Sequence, residues 1–311
     1  MASDIVLFDE SAPAWERAFY AFLAEKERRS GSRRTVEAYS ATLQRFFGAL
    51  GKPPDEVTSP DVFVFAHGRG PSGREPKAIT IGARLACISS FFRFLIRMKI
   101  VSSNPCDEIE RPRASPAPPR GMSAEEIRRL LTVVPETREG LRDRAIILTL
   151  VLTGRRRAEI LNLKAGDLSM DGGLFYTYRG KGGKRAKREL PRPAFEAIDA
   201  SLAAWGKGLA TMQPGESLWP SRYGAENGAG LTSGTFYARF RRYLQTAGLA
   251  PAGVHILRHA AAKLRREAGE SVESVSAFLD HSSLQVTSIY LRRLEGQEDR
   301  GWGKVAEALQ L

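Results

Sequence analysis

The feature that most constrains the fold of this chain is a proline-rich segment at residues 111–121. It reads RPRASPAPPRG, with four prolines and no apolar periodicity. Proline fixes the backbone φ angle and lacks an amide donor, so the segment is expected to be an extended linker rather than a helix or a strand. The 311 residues therefore divide into two predicted domains, 1–110 and 122–311, and each is long enough to bury its own core.

Helical periodicity dominates the first predicted domain. Three stripes of apolar residues recur at helical spacing, and the second lies between Ser32 and Gly51, which suit the start and the end of a helix. Because these apolar faces must pack on one another, they predict a small helical bundle. The stripes are Trp15, Phe19, Phe22 and Leu23; Val36, Tyr39, Leu43, Phe46, Phe47 and Leu50; and Ile81, Leu85, Ile88, Phe92 and Leu95.

The second predicted domain is also mainly helical, but in one segment the spacing of the apolar residues changes from helical to alternating. Ser123 and Glu126 form a capping box at its start. Alternating Leu174, Tyr176 and Tyr178 predict a strand, and Gly182 with Gly183 suits the tight turn of a hairpin that returns through residues 187–190. Further helices are predicted at residues 145–152, 157–163, 193–205, 235–247, 258–268, 272–279 and 284–294. The fold class is therefore mainly α with a small β-hairpin.

Composition narrows the class of protein without deciding its function. The chain has 47 lysines and arginines against 35 acidic residues, and this net charge of +12 favours a polyanionic partner, although charge also keeps a protein soluble. Cys87 and Cys106 are too few for a disulfide framework or a cysteine-rich zinc site, and a reducing cytoplasm fits them. Residues 1–10 do not resemble a signal peptide, and the aliphatic run at 145–152 is far shorter than the ~20 residues of a membrane span. A soluble intracellular protein is expected.

Basic residues are concentrated on the polar helix faces of the first domain and on the predicted hairpin. Residues 179–188 read RGKGGKRAKR, with six basic residues and no acidic one. Lysines on an edge strand also prevent unwanted pairing, so a solvated edge is the alternative to a ribbon that enters a DNA groove. A lysine in such a positive field is suited to protonating a departing oxygen. The candidate DNA-binding residues are Arg33, Arg34, Arg84, Arg93, Arg179, Lys184, Arg185, Arg239 and Arg242.

The segment VHILRH at residues 254–259 places His255, Arg258 and His259 within one turn at the start of a helix. Two interpretations compete, a metal pair of histidines and a phosphate clamp. The metal pair is disfavoured because a guanidinium repels a dication and no glutamate follows the first histidine. Histidine and arginine at a helix N-terminus suit an anion, and His259 is interpreted as structural.

Three further residues complete a candidate catalytic set. His281 lies in a predicted loop, and Tyr290 follows it nine residues later within a predicted helix. Arg156 in LTGRRRAEI precedes Glu159 by three residues, so the carboxylate can hold the guanidinium on one helical turn. A tyrosine in a helix is usually a core residue. The combination of Tyr290 with His281 and Arg156 indicates a catalytic site instead.

Together these residues resemble the tyrosine recombinase, or phage integrase, family. The resemblance covers nearly the whole chain: a helical SAM-like core-binding domain, a proline-rich linker and a catalytic domain with the motifs TGxRxxE, GKGGK, HxLRH, LxHSS and Tyr in that order. The chain departs from the family at Arg155 and Arg157, where apolar residues are usual, and at Asp280, where glycine is usual. The resemblance implies these catalytic residues: Arg156, Lys181, His255, Arg258, His281 and the nucleophile Tyr290, supported by Glu159.

The chemistry that the resemblance implies suits these residue types. Attack of a phenol on a phosphodiester creates a pentavalent state whose added negative charge two arginines can stabilise, so no metal is expected. His255 can assist deprotonation of Tyr290 while Lys181 protonates the leaving 5′ oxygen. A covalent 3′-phosphotyrosine conserves the bond energy, so no ATP is expected, and a 5′ hydroxyl from a partner strand can reverse the step.

The family resemblance also implies DNA and further subunits as partners, and it leaves two alternative functions open. Two pairs of subunits are expected to assemble on two double-stranded DNA sites and to exchange strands through a Holliday junction. The tail at residues 301–311, whose Trp302, Val305, Ala306 and Leu309 recur at helical spacing, is expected to dock on a neighbouring subunit or to cap its own domain. A cytoplasmic, nucleoid-associated location is expected. A type IB topoisomerase-like enzyme and a non-catalytic architectural DNA-binding protein are the alternative functions, and the sequence does not separate Xer-type resolution from integration of a mobile element.

Overall fold

The structure is a computed structural model that describes residues 14–71, 73–112, 121–180, 183, 185–222 and 230–280. The chain divides into two compact units, Met1–Pro116 and Ala117–Leu311. The division falls within the proline-rich segment, of which residues 113–120 lie outside the described residues. The predicted linker at 111–121 and the domain bounds 1–110 and 122–311 stay predictions.

The described part of the first unit is helical. Ser32 caps the second helix by accepting from the amide of Thr35, and Gly51 ends that helix at a φ of 63°. The three predicted stripes are confirmed as helices. A shorter helix with a Thr58–Asp61 capping box was missed because its apolar residues are consecutive, at 62–66, and show no helical spacing. The helices are α1 (Ala14–Ser30), α2 (Arg33–Leu50), α3 (Ser59–His67) and α4 (Ala78–Arg97).

Helix α4 forms the centre of the first unit's core. It is long and apolar enough to cross a membrane by length and composition, yet half of the relevant stretch is buried inside the protein. Phe91, Phe92 and Leu95 on this helix are almost completely buried and pack with phenylalanines of α1 and α2. We therefore interpret α4 as the core helix of a bundle. Burial raises the pKa of the nearby Cys87 thiol to about 12, so this free cysteine stays protonated.

The described part of the second unit begins with three helices that confirm the sequence-based expectations. Ser123 and Glu126 form the predicted capping box, in which each accepts from the other's backbone amide. Gly154 ends the second of these helices at a φ of 62°, and Arg156 occupies the N-cap position of the third. The helices are α5 (Ala124–Thr132), α6 (Arg138–Thr153) and α7 (Arg157–Leu161).

A small antiparallel sheet follows α7. In the described residues its strands are β1 (Leu168–Ser169), β2 (Phe175–Arg179) and β3 (Arg185–Glu189), in the order β1-β2-β3. Tyr178 pairs with Ala186, which fixes the register of the predicted hairpin. The two-residue strand β1 was missed because it is too short to show a period of two. Lys181, Gly182 and Lys184 lie outside the described residues.

Four helices complete the described part of the second unit. The first three pack with α6 around a core that includes Trp219, whose indole nitrogen donates to the carbonyl of Ile160 at 2.6 Å. The last packs its Val275 against Ala262 in a smaller cluster. The predicted helix at 284–294 and the residues 301–311 lie outside the described residues. The helices are α8 (Arg192–Ala204), α9 (Ser233–Thr246), α10 (Ile256–Glu267) and α11 (Val272–Phe278).

A buried charge network ties α6 to α9. Asp143 is fully buried, and one of its oxygens accepts from the Arg142 guanidinium at 2.9 and 3.1 Å. The other accepts from the Tyr243 hydroxyl at 2.7 Å and from Arg239. Because a buried charge needs compensation, this network specifies how the two helices pack.

Candidate active site

Arg156 is held at the start of α7 by Glu159. The Glu159 carboxylate accepts from the backbone amide of Arg156 at 2.8 Å and from its guanidinium Nη1 at 2.8 Å. The Glu159 side chain is 5% exposed, whereas that of Arg156 is 39% exposed. The rest of the guanidinium therefore stays accessible to an anion, as the spacing of these two residues predicts.

Arg258, by contrast, is buried at the start of α10. Its Nη1 donates to the carbonyl of Gly154 at 2.7 Å and its Nη2 to the carbonyl of Leu279 at 2.6 Å. Burial, followed by the nearby charges of Arg156 and Arg155, lowers the pKa of Arg258 to about 10. Arg258 remains cationic near neutral pH and joins the end of α6 to the end of α11.

His255 occupies the N-cap position of α10 one turn before His259, and the two rings meet edge to face at a centroid distance of 4.8 Å. Desolvation by the surrounding protein lowers the pKa of His255, and the positive charges of Arg258, Arg156 and Arg157 lower it further. The imidazole is therefore neutral near pH 7 and able to accept a proton. Within the described ranges no group of three or more His, Cys, Asp or Glu side chains is placed to hold a metal ion.

The Arg156–Glu159 and His255–Arg258 motifs thus meet in one electrostatic region. Arg156 and Arg258 each influence the pKa of His255, although Arg156 lies about a hundred residues before it along the chain. The two guanidiniums can bind a phosphate diester, and the neutral imidazole can receive a proton from an attacking group.

Comparisons with known proteins identify the family of this chain. The phage integrase family matches residues 120–296, and the N-terminal SAM-like domain of phage integrases matches residues 17–99. The chain belongs to the phage integrase family. It is accordingly a tyrosine recombinase, an enzyme of site-specific DNA recombination.

Relatives of this recombinase match it over both units. It is 29% identical to tyrosine recombinase XerC of Pelobacter propionicus over 84% of this chain and 85% of the relative, and 30% identical to XerC of Bacillus licheniformis over 83% and 86%. It is 31% identical to tyrosine recombinase XerC 2 of Ralstonia nicotianae over 68% of this chain, and spans 61% of that relative.

Solved structures share the fold of this recombinase. A lambda integrase dimer bound to a COC′ core site has a TM-score of 0.66 at 18% identity and covers 92% of this chain and 79% of its own. XerH recombinase bound to a palindromic difH substrate, in a post-cleavage complex, has a TM-score of 0.66 at 20% identity and covers 96% and 85%. The predicted fold class, mainly α with a small sheet and an N-terminal SAM-like domain, is confirmed.

The recombinase's site contains one group whose role the sequence does not reveal. Asp280 stands directly before His281, and its carboxylate accepts from Arg155, from the Tyr178 hydroxyl and from Arg188 Nη2, the last at 2.9 Å. Arg155 is buried, and its Nε also donates to the carbonyl of Thr153 at 3.1 Å. The only sequence signal was that Arg155 and Asp280 both depart from the family pattern.

The structure places some of the predicted catalytic residues and not others. Arg156, His255 and Arg258 come together with Glu159, and His259 packs against His255. Lys181, His281 and Tyr290 lie outside the described residues, so their positions stay predictions.

The predicted DNA-binding arginines fall into two groups. Arg84 donates from Nη1 to the carbonyls of Phe65, Ala66 and Gly68, at the end of α3, and Arg239 is held by Asp143 and Tyr243. These two guanidiniums therefore have structural contacts inside the protein. Lys184 lies outside the described residues. The exposed members are Arg33, Arg34, Arg93, Arg179, Arg185 and Arg242.

Proposed function

We propose that this recombinase cleaves one DNA strand through Tyr290, with Arg156, Arg258 and His255 stabilising the reaction. The observation that carries the proposal is the convergence of these two guanidiniums and a neutral imidazole from motifs far apart in sequence. The accessible part of Arg156 binds a non-bridging phosphate oxygen. Arg258 donates to the same phosphate through the N–H groups that its two carbonyl acceptors leave unused. Both donate more strongly as negative charge builds up in the pentavalent state.

Proton transfer completes the proposed step. The Tyr290 oxygen bonds to phosphorus while the bond to the 5′ oxygen breaks, and His255 takes the phenolic proton because its lowered pKa keeps it neutral. Lys181, two residues after β2, protonates the leaving 5′ oxygen, and His281 adds a further donor to the phosphate. The 3′-phosphotyrosine bond conserves the energy of the diester, and attack by a 5′ hydroxyl of a partner strand yields strand exchange. Neither a metal ion nor ATP enters this scheme.

DNA is bound by the exposed arginines. Arg33, Arg34 and Arg93 on the first unit contact phosphates, and so do Arg179, Arg185, Lys184 and Arg242 on the second. A groove between α7 and the β2–β3 hairpin is lined by Lys164, Arg179 and Arg185, together with the acidic Glu159 and Asp167. Its three cations support a path for the DNA backbone. Arg84 and Arg239 contribute less because protein acceptors already occupy their guanidiniums.

The active assembly is two pairs of subunits on two DNA sites. A solved fold neighbour is a lambda integrase tetramer bound to a Holliday junction, with a TM-score of 0.64. Residues 301–311 dock on a neighbouring subunit, and the enzyme acts on double-stranded DNA in the cytoplasm. The monomer persists in solution without DNA.

Covalent trapping tests the proposal. The protein is incubated in EDTA and without ATP with a nicked duplex that carries a candidate site. On cleavage this duplex releases the short fragment that bears the new 5′ hydroxyl, and denaturing gels reveal any protein–DNA adduct. An adduct that Tyr290→Phe removes and that Tyr237→Phe, a control at an exposed tyrosine on α9, preserves would support the nucleophile. Tight binding with no adduct would favour an architectural protein, and relaxation of plasmids that lack a site would favour the topoisomerase-like alternative.

A further inference from the structure

Two residues that depart from the family pattern contact each other. Arg155 and Asp280 are 125 residues apart in sequence, and their side chains form an ion pair. The Arg155 side chain is 2% exposed, and that of Asp280 is 28% exposed. A guanidinium buried to this degree is costly without an anionic partner, so the two residue types depend on each other.

The Asp280 carboxylate also binds both strands of the hairpin. One oxygen accepts from the Tyr178 hydroxyl on β2, and the other accepts from Arg188 Nη2 on β3 at 2.9 Å. Lys181 follows the end of β2 by two residues in sequence. The carboxylate therefore connects the strands that lead to the proposed general acid with the chain that leads to His281.

The backbone conformation at Asp280 costs free energy, which these side-chain contacts offset. Its φ is 50°, in the left-handed region that costs an ordinary residue free energy and that aspartate and asparagine tolerate better than most residues. Partial burial opposes ionisation of Asp280, but the Tyr178 hydroxyl and the charges of Arg188 and Arg155 outweigh it and lower the pKa of the carboxyl. Asp280 is thus an anion that faces two guanidiniums.

A second link runs beside this ion pair. Arg258 donates to the carbonyls of Gly154 and Leu279, the residues that directly precede Arg155 and Asp280. The same two chain segments are therefore joined once by a proposed catalytic arginine and once by the Arg155–Asp280 pair. Movement of either segment would displace the acceptors that orient Arg258.

We propose that Arg155 and Asp280 are a coupled pair of positioning residues that fixes the β2–β3 hairpin and the chain entering His281 relative to Arg156 and Arg258. The proposal rests on the proposed function, since it assigns to Lys181 and His281 the roles given there. Loss of either member leaves the other in an unfavourable environment and loosens the hairpin, whereas replacement of both removes the unpaired charge.

A double-substitution cycle tests the coupling. Arg155→Leu, Asp280→Asn and the double variant are compared by the rate of adduct formation in single turnover at saturating protein, with DNA affinity and thermal unfolding measured on the same samples. Each single substitution is expected to slow cleavage by at least about tenfold with DNA affinity retained, and the double variant to be no slower than the slower single variant. Leucine fills the buried site without a charge, and asparagine suits a φ of 50°.

A sulfur-substituted substrate separates positioning from folding. With sulfur at the 5′ bridging position the leaving group is a thiolate, which departs without a proton because its conjugate acid is far more acidic than an alcohol. If Asp280 positions the hairpin that bears Lys181, this substrate restores most of the cleavage rate lost in Asp280→Asn. Arg188→Gln is a second variant that leaves the buried pair intact, and it is expected to show a smaller loss with the same rescue.

The exposed ion pair of Arg192 and Glu196 on α8 is the matched control. Arg192→Leu, Glu196→Gln and their combination are expected to leave the cleavage rate unchanged. The positioning proposal is overturned if the Arg155 and Asp280 variants cleave at the wild-type rate, if their effects simply multiply, or if sulfur rescues none of the loss. Failure of the wild-type protein to form any adduct would instead overturn the proposed function, and the positioning proposal with it.

Discussion

Arg156 and Glu159 are joined twice, through the backbone amide and through the guanidinium of Arg156, each at 2.8 Å from the Glu159 carboxylate. The glutamate thus both caps α7 and orients the proposed catalytic arginine. Glu159→Ala is expected to slow adduct formation by about 10- to 100-fold, because loss of one charged hydrogen-bond partner costs about 1.5–3 kcal/mol. DNA affinity in filter-binding assays should change little, and equal losses of affinity and rate would contradict a positioning role.

The pKa of His255 makes a prediction about pH. Because that pKa is lowered, the neutral base persists below the ordinary histidine value of about 6.5, and the single-turnover rate should fall only in more acidic solution. Arg157→Gln removes one of the positive charges responsible, so the pKa should rise and the acid limb should move to higher pH. A limb that stays in place or moves to lower pH would show that another group controls it.

The same shift has a consequence for stability. The folded protein disfavours protonated His255, so between the lowered pKa and about pH 6.5 the unfolded chain binds more protons than the folded one. The contribution of His255 to the free energy of unfolding therefore falls as the pH falls through this window. The loss of unfolding free energy across that window should be smaller in His255→Gln than in the wild-type protein. Urea unfolding at a series of pH values measures it, and identical curves would contradict the assignment.

Gly154 is expected to tolerate no side chain. Its φ is 62°, and a Cβ there would lie 2.8 Å from Cζ of the Phe278 ring. Gly206 is a matched control after α8, with a φ of 66° and no atom within 4 Å of such a Cβ in the described part of the chain. Both alanine variants incur about 1–2 kcal/mol of backbone strain, and Gly154→Ala should lose about 1–3 kcal/mol more through overpacking. Thermal unfolding of the two variants checks the difference, and equal losses would refute the steric argument.

Asp143 should be essential to the second unit's stability. Asp143→Asn leaves the buried Arg142 guanidinium without its anion, and breaking such a pair costs about 3–5 kcal/mol. Glu196→Gln breaks only an exposed pair on α8 and should remain near wild-type stability. Urea unfolding of both variants provides the comparison, and a near-neutral Asp143→Asn would show that the site reorganises or admits water.

Much of this protein was predictable because its signals are local. Helical periodicity located α1, α2 and α4, since residues three and four apart share a helix face. The Ser123–Glu126 box and the spacing of Arg156 and Glu159 depend on groups within one turn, and the order of the motifs along the chain is enough to indicate the family. The same local reasoning missed α3 and β1, whose apolar patterns are too short to show a period.

Only the tertiary structure decided the contacts between residues that are distant in sequence. Arg84 and Arg239 look like other surface arginines in the sequence, yet the fold supplies carbonyls for one and a buried carboxylate for the other. Arg155 and Asp280 appear as two unrelated departures until the ends of α6 and α11 are brought together. A residue's type fixes which partners it can accept, but its burial and its partner depend on how separate helices pack, and no local pattern encodes that packing.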